Sequence, residues 1–412
     1  MNLSRRDFLR LSLLSLLAAC GTRNEPGALP AATPTETPLP QATLTPSASQ
    51  TASPTSSLVA SPTASSTATA TATATATTSA APTRVPLPSA TPRPANTPIR
   101  QVVIFVQENH SFDAMFGGFP GADGVAHGSL CADQHPDQDH SHAAALRPNG
   151  LGEPAGDCHY TDAQLPNYWK VARAFTLCDR YFTEVRGPSE PNYFMLTSAQ
   201  SPVIDAPNGA IVQDVLALPN RLLESGLTWR DYGGIMNRYR SLRGRGEITA
   251  NQSRIVTDAL AGTLANVSWL FSEFEISGHP PASMCAAENW MARVASAIMR
   301  GPQWNSTALF MTWDDWGGFY DHVEPLVLER WSDGTPFRLG QRVPCTVVSP
   351  YARAGYVSNQ VHSHVSILKF VETIFNLKPL NGRDASASDM LDCFDFTQPP
   401  RAGLVLQGRS CG

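Results

Sequence analysis

A chain of 412 residues with 42% apolar and 16% charged positions can build a large core, and a formal charge of −5 excludes a surface made chiefly to hold nucleic acid. Length alone allows two or three domains, but the low complexity of residues 21–98 leaves one globular domain of roughly 310 residues.

The chain opens on an export signal. Arg5 and Arg6 in SRRDFL precede an apolar run over residues 11–19, the twin-arginine arrangement, and so short a run cannot cross a bilayer about 30 Å thick as a helix. Leu17-Ala18-Ala19-Cys20 has the form of a lipobox. Cys20 is therefore the expected lipidation site, and the expected location is the outer face of the cytoplasmic membrane or the cell surface. Residues 21–98 are rich in Thr, Ala, Ser and Pro and lack the large apolar side chains that offset ordering entropy. They read as a disordered tether, extended at about 3.1 Å per residue where proline is frequent. Residues 99–385 are the expected catalytic domain and 386–412 a C-terminal tail too short for another domain.

Gln101–Gln107 (QVVIFVQ) is a β-branched, nearly continuous apolar run of the kind buried on both faces of a parallel sheet, and it predicts the first strand. Residues 308–312 (ALFMT) and 343–349 (VPCTVVS) share that character, and helices are expected over 289–299 and His364–Phe375. The order implies an α/β domain with helices on a largely parallel sheet, whose ligand sites lie beyond the carboxyl ends of strands. Apart from Cys20 the cysteines are 131, 158, 178, 285, 345, 393 and 411. Loop-like surroundings suggest the pairs Cys131–Cys158 and Cys393–Cys411, an odd count leaves at least one thiol unpaired, and the lack of a CxxC spacing argues against structural zinc.

Polar residues collect where such a sheet would use them. Glu108 and Asn109 follow the first strand, and Asp314 and Asp315 follow ALFMT; these are oxygen donors of the type hard divalent cations prefer. An acidic pair after a strand also serves as a helix cap or a solvated loop. Histidines 140, 279, 322 and 364 are candidates for phosphate binding or proton transfer, and Gly317 and Gly318 would let backbone approach a ligand. Ser189, in RGPSEPNYF, is the candidate nucleophile, with an N-cap as the bland alternative.

Six segments in chain order resemble successive motifs of the bacterial phosphoesterase family that contains phospholipases C and a respiratory-burst-inhibiting acid phosphatase. They are ENHSFDAMFG (108–117), GPSEPN (187–192), HPPAS (279–283), TWDDWGGFYDHVEP (312–325), RVPCTVVSPYARAGYV (342–357) and HSHVSILKFVE (362–372). The resemblance implies an alkaline-phosphatase-like α/β fold, a mostly parallel sheet covered by helices on both faces. Position by position it makes Glu108, Asn109, Asp314 and Asp315 ligands of a divalent metal whose identity is not specified. It makes Ser189 the nucleophile of a covalent phosphoenzyme, and His279 and His322 the groups around the phosphate. His140 and His364 match less securely and rank second. Asp315 stands where the family usually has Glu, Ser189 where phospholipases commonly have Thr, and Gly278 where Asp commonly precedes the HP pair. The β-rich extension of larger phospholipases C is not seen after residue 385, which implies a compact, phosphatase-like enzyme. The implied function is hydrolysis of phosphomonoesters or phospholipid head groups; the competing reading is a catalytically weak surface lipoprotein that binds phosphorylated ligands.

Overall fold

Eight strands form the main sheet: β1 (Gln101–Gln107), β2 (Thr176–Cys178), β3 (Trp229–Tyr232), β4 (Ile248–Thr249), β5 (Val267–Phe271), β6 (Thr307–Trp313), β7 (Cys345–Val348) and β8 (Tyr356–Ser358). The computed structural model describes residues 97–147, 156–330 and 336–411. Arg5, Arg6, Cys20 and the tether up to residue 96 lie outside the described residues. No helix among the described residues is long and apolar enough to cross a membrane.

The strand order is β8-β2-β7-β6-β1-β5-β3-β4. All neighbours are parallel except that β7 runs antiparallel to both β2 and β6. Every residue of β5, β6 and β7 is buried, as is β1 after Gln101. Successive side chains point to opposite faces, so unbroken burial means that both faces are covered. The helices that cover them are α1 (Phe112–Phe116), α2 (Pro166–Ala174), α3 (Ser189–Ser198), α4 (Arg254–Ala261), α5 (Met284–Arg300) and α6 (His364–Phe375). Five of them fall into two packed groups, α2 and α4 with α5, and α3 with α6.

β1 and α6 have the bounds expected from sequence, while α5 begins earlier, where Ser283 caps it by accepting from the Ala286 amide. The 343–349 segment is a strand as expected but not a parallel one, because a continuous apolar run records burial on two faces and carries no direction.

The cysteine pairing departs from expectation. Cys131–Cys158 forms, but Cys411 joins Cys285 and not Cys393, leaving Cys178, Cys345 and Cys393 as buried thiols. The last residues are led along α5: Arg409 Nε binds Glu288 at 2.6 Å and the Arg409 carbonyl accepts from Asn289 at 2.7 Å, one turn from Cys285. Cys393 is held elsewhere, its carbonyl accepting from Thr176 Oγ1 at 3.1 Å. The expected tail packs on the domain; Phe394 stacks on Phe370 of α6 with centroids 4.9 Å apart.

Candidate active site

The register of β1 on β6 sets Gln107 beside Trp313, so Glu108-Asn109 and Asp314-Asp315 leave the sheet side by side at its carboxyl edge. The Asp314 amide donates to the Gln107 carbonyl at 3.0 Å and the Glu108 amide to Ser277 at 3.0 Å. Asn109 sits at φ 64°, in the left-handed region that asparagine tolerates better than most residues. Gly317, at φ 62°, lies against the Asn109 carbonyl so closely that any Cβ would overlap it, and Gly318 lies similarly against Gln138. These glycines let two stretches of chain meet; their closeness is to protein.

Asp314 Oδ1 accepts from the amides of Asn109 (3.1 Å) and Asp315 (2.8 Å), and Asp315 Oδ1 from the Gly317 amide (2.7 Å). Ser189 opens α3, and its hydroxyl donates to Asp315 Oδ2 at 3.1 Å. One turn along α3, the Tyr193 hydroxyl donates to Glu108 Oε1. Five sequence-predicted residues, Glu108, Asn109, Ser189, Asp314 and Asp315, are thus brought to one place, and all but Glu108 are essentially inaccessible.

Two oxygens of this group, Asn109 Oδ1 and Asp314 Oδ2, are buried with no hydrogen-bond partner among the described residues. Burial and the Glu108 charge push the Asp314 carboxyl up to about 6, and burial with repulsion from Asp314 pushes Asp315 well above the usual carboxylate range. Crowded carboxylates and orphaned hard oxygens are satisfied together by a divalent cation, so the donor set fits the implied metal.

The histidines divide differently from expectation. His279 Nε2 is 3.9 Å from Glu108 Oε2, and its ring lies 5.9 Å from that of His140, edge to face. His140 Nε2 meets Asn109 Nδ2 at 3.1 Å while Nδ1 bonds the Gln138 carbonyl at 2.7 Å, leaving Asn109 Oδ1 turned elsewhere. The pair gathered at the oxygen donors is His279 with His140. His322 belongs to another network: Nδ1 meets Asp113 Oδ2 at 2.6 Å and Nε2 meets Asp123 Oδ1 at 3.1 Å, and none of its described contacts reaches Ser189. Burial pulls the His322 pKa down, but the bond and charge of Asp113 raise it on balance. His364 stands behind the site, with Nε2 on the Asp314 carbonyl (2.8 Å) and Nδ1 on the Tyr181 hydroxyl (3.0 Å); burial lowers its pKa to about 4. With both ring nitrogens bonded to protein, neutral His364 fixes the Asp314 backbone. Gly278, at φ 85°, holds a left-handed backbone that strains any side chain placed there, and a Cβ would press on Met284 Sδ at 2.9 Å.

Arg342 underlies the His322 network. Fully buried, it reaches Asp321 Oδ1 (3.0 Å), Asp113 Oδ1 (2.8 Å) and the carbonyls of Asp123 (2.6 Å) and Asp179 (2.9 Å), with its guanidinium 4.4 Å over the Phe112 ring.

Sequence reasoning missed Tyr193, Asn192 and Asp137. Asn192 accepts from the amides of Glu184 (3.2 Å) and Val185 (3.0 Å) and donates to the carbonyls of Val185 and Pro188, latching the loop that leads into Ser189. Asp137 Oδ1 lies 3.7 Å from His140 Nδ1. Tyr193 could have been found by its i+4 spacing from Ser189, had that segment been read as a helix.

Fold and site together define an α/β protein with a polar centre, built from oxygen donors and a helix-initial serine, beyond the carboxyl edge of its sheet. The chain belongs to the Phosphoesterase family, whose model matches residues 99–151 and 155–378. It is 27% identical to a non-hemolytic phospholipase C of Pseudomonas aeruginosa over 73% of this chain and 58% of that protein. Phospholipase C B of Mycobacterium tuberculosis is 27% identical, covering 58% of this chain and 57% of its own. The non-specific phospholipase C6 of Arabidopsis thaliana is 27% identical over 75% of each chain. The chain therefore spans little more than half the length of the two bacterial relatives. Among solved structures, an alkaline phosphatase superfamily protein of Vibrio parahaemolyticus aligns over 77% of this chain and 74% of its own at 12% identity and TM-score 0.38, a likeness too distant to carry a functional argument.

Proposed function

We propose that the protein is an exported phosphoric ester hydrolase in which Ser189 attacks phosphorus and a divalent cation is held by Asn109, Asp314, Asp315 and Glu108. The observation that carries this reading is the bond from Ser189 to Asp315 beside the orphaned oxygens of Asn109 and Asp314. Ser189 starts a helix, where unpaired amides and the positive end of the helix dipole favour the charge of a phosphoryl group. Asp315 accepts the hydroxyl hydrogen of Ser189, orienting the oxygen for attack. As the Oγ–P bond forms and the ester P–O bond breaks, the departing oxygen takes a proton from His279 or His140, the histidines nearest the donors. Water then cleaves the phosphoserine, so configuration at phosphorus is retained overall. The bound cation would polarise a phosphoryl oxygen and favour the serine alkoxide. Tyr193, through Glu108, and His364, through the Asp314 backbone, are positioning residues.

The names of the relatives favour phospholipid head groups as substrates, and the serine at 189 favours phosphomonoesters. Arg5-Arg6 and the LAAC sequence support twin-arginine export and a lipid anchor on Cys20. The deciding experiment compares para-nitrophenyl phosphate with para-nitrophenyl phosphorylcholine, with and without chelator. Chelator-sensitive cleavage is expected, and the better substrate assigns the chemistry; no turnover of either across pH and added metals would leave a phosphate-ester binding protein instead.

A further inference from the structure

Segments distant in sequence bring together a second set of metal-type donors. Cys178 ends β2, Cys393 ends the turn Leu391–Cys393, and His362 follows β8; all three are buried at 1% exposure or less. The Cys178 and Cys393 sulfurs are 3.7 Å apart, and the two sulfurs and a His362 nitrogen lie within 4.8 Å of one another. Asp392 adds a carboxylate, with Oδ1 at 3.2 Å from His362 Nε2 and 3.9 Å from Cys393 Sγ.

These separations discriminate between occupants. A disulfide needs its sulfurs at about 2.0 Å. Two thiolates on one tetrahedral zinc, each about 2.3 Å from the ion, lie about 3.8 Å apart, while an imidazole nitrogen and a carboxylate oxygen at about 2.0–2.1 Å lie about 3.3 Å apart. The observed 3.7 Å and 3.2 Å match those two edges. His362 has the outer bond typical of a zinc-bound imidazole, its Nδ1 meeting Ser388 Oγ at 2.9 Å; its Nε2 faces Asp392 and the Ser358 hydroxyl at 3.2 Å, a contact that zinc would replace. The Ser358 hydroxyl supports Asp392 through its other oxygen. Cys345, opposite Cys178 in the β7–β2 ladder and hydrogen-bonded to its thiol, is not gathered with His362 and Cys393.

We propose that Cys178, Cys393, His362 and Asp392 bind one zinc ion in a closed structural site that ties the C-terminal segment to β2. Zinc takes each cysteine as a thiolate and His362 as a neutral imidazole, so two thiol protons leave as the two Zn–S bonds form. The ligands come from three separate segments, which is why no CxxC spacing announces them.

The test measures zinc per chain by elemental analysis after reconstitution with zinc alone and desalting. Asp314→Asn, which disables the first donor set, is compared with the double variant Asp314→Asn/Cys393→Ala. About one zinc per chain is expected to persist in Asp314→Asn and to be lost when Cys393→Ala is added to it. If Cys393→Ala does not fold, an organomercurial thiol reagent added to folded Asp314→Asn decides, with release of about one zinc read by a chromogenic indicator. A zinc-free Asp314→Asn chain, or a Cys178–Cys393 disulfide found by peptide mapping, overturns the proposal.

Discussion

Asn109 meets two demands that few residues satisfy together. Its backbone occupies the left-handed region at φ 64°, and its side chain aims an unpartnered oxygen among carboxylates. Replacement by glycine separates the two, because glycine keeps the turn without strain and removes the oxygen. Asn109→Gly is expected to unfold within a few degrees of the parent while turnover falls at least about tenfold, as loss of a cation ligand or its neighbour does. Unchanged turnover would remove Asn109 from the donor set. Ser189→Ala should lower kcat by at least about a thousandfold with the far-ultraviolet spectrum intact, since the hydroxyl bonds the Asp314-Asp315 carboxylates and not the elements of the fold. Substantial residual turnover in that variant would sink the nucleophile assignment.

At the scale of elements, the sheet's carboxyl edge was legible because the donors directly follow its two longest strands. Gln101–Gln107 announced β1 by composition, and the polar pairs after β1 and β6 marked the edge where ligands bind. The histidines were not legible in the same way. Whether His140 or His322 joins His279 depends on how the 135–142 loop and the WGGFYDHV turn fold back, which neither periodicity nor spacing encodes. Short strands such as Thr176–Cys178 and Ile248–Thr249 escaped for a similar reason, being defined by their neighbours in the sheet.

β3 carries a titration of its own. Asp231 is fully buried, accepts from the amides of Gly234 (3.2 Å) and Met236 (2.8 Å), and burial pushes its pKa up to about 7. Its native proton is held more tightly than in the unfolded chain, so this residue's contribution to stability falls as pH rises from about 4 to about 7, by on the order of 4 kcal/mol. Asp231→Asn should flatten that part of the profile. Urea midpoints at pH 4.5 and 7.5 check it, and parallel shifts in both proteins would show that Asp231 titrates normally.

For the whole molecule, the bridge from Cys285 to Cys411 closes a loop of 126 residues and holds the C-terminal segment on α5. Cys411→Ser is expected to cost about 2–5 kcal/mol, measured by chemical unfolding of the oxidised chain. Reduction of the parent, which also opens Cys131–Cys158, should cost at least as much. Besides Cys20 the sequence offered seven cysteines without their partners, and local surroundings favoured Cys393 because they do not reveal that the last residues run back along a helix.

Arg342 links chain positions more than two hundred residues apart, from Asp113 through Asp179 to Asp321, with one buried guanidinium. Segments fastened to a single charge do not open independently, since freeing either carboxylate strips one of its two acidic partners from a cation that stays buried. Native-state hydrogen exchange should therefore find the amides of Asp113 and Val323, each bonded to an Asp321 oxygen, exchanging with one common opening free energy and one common denaturant dependence. In that language the two loops are a single foldon, sewn together across the length of the domain before any substrate arrives.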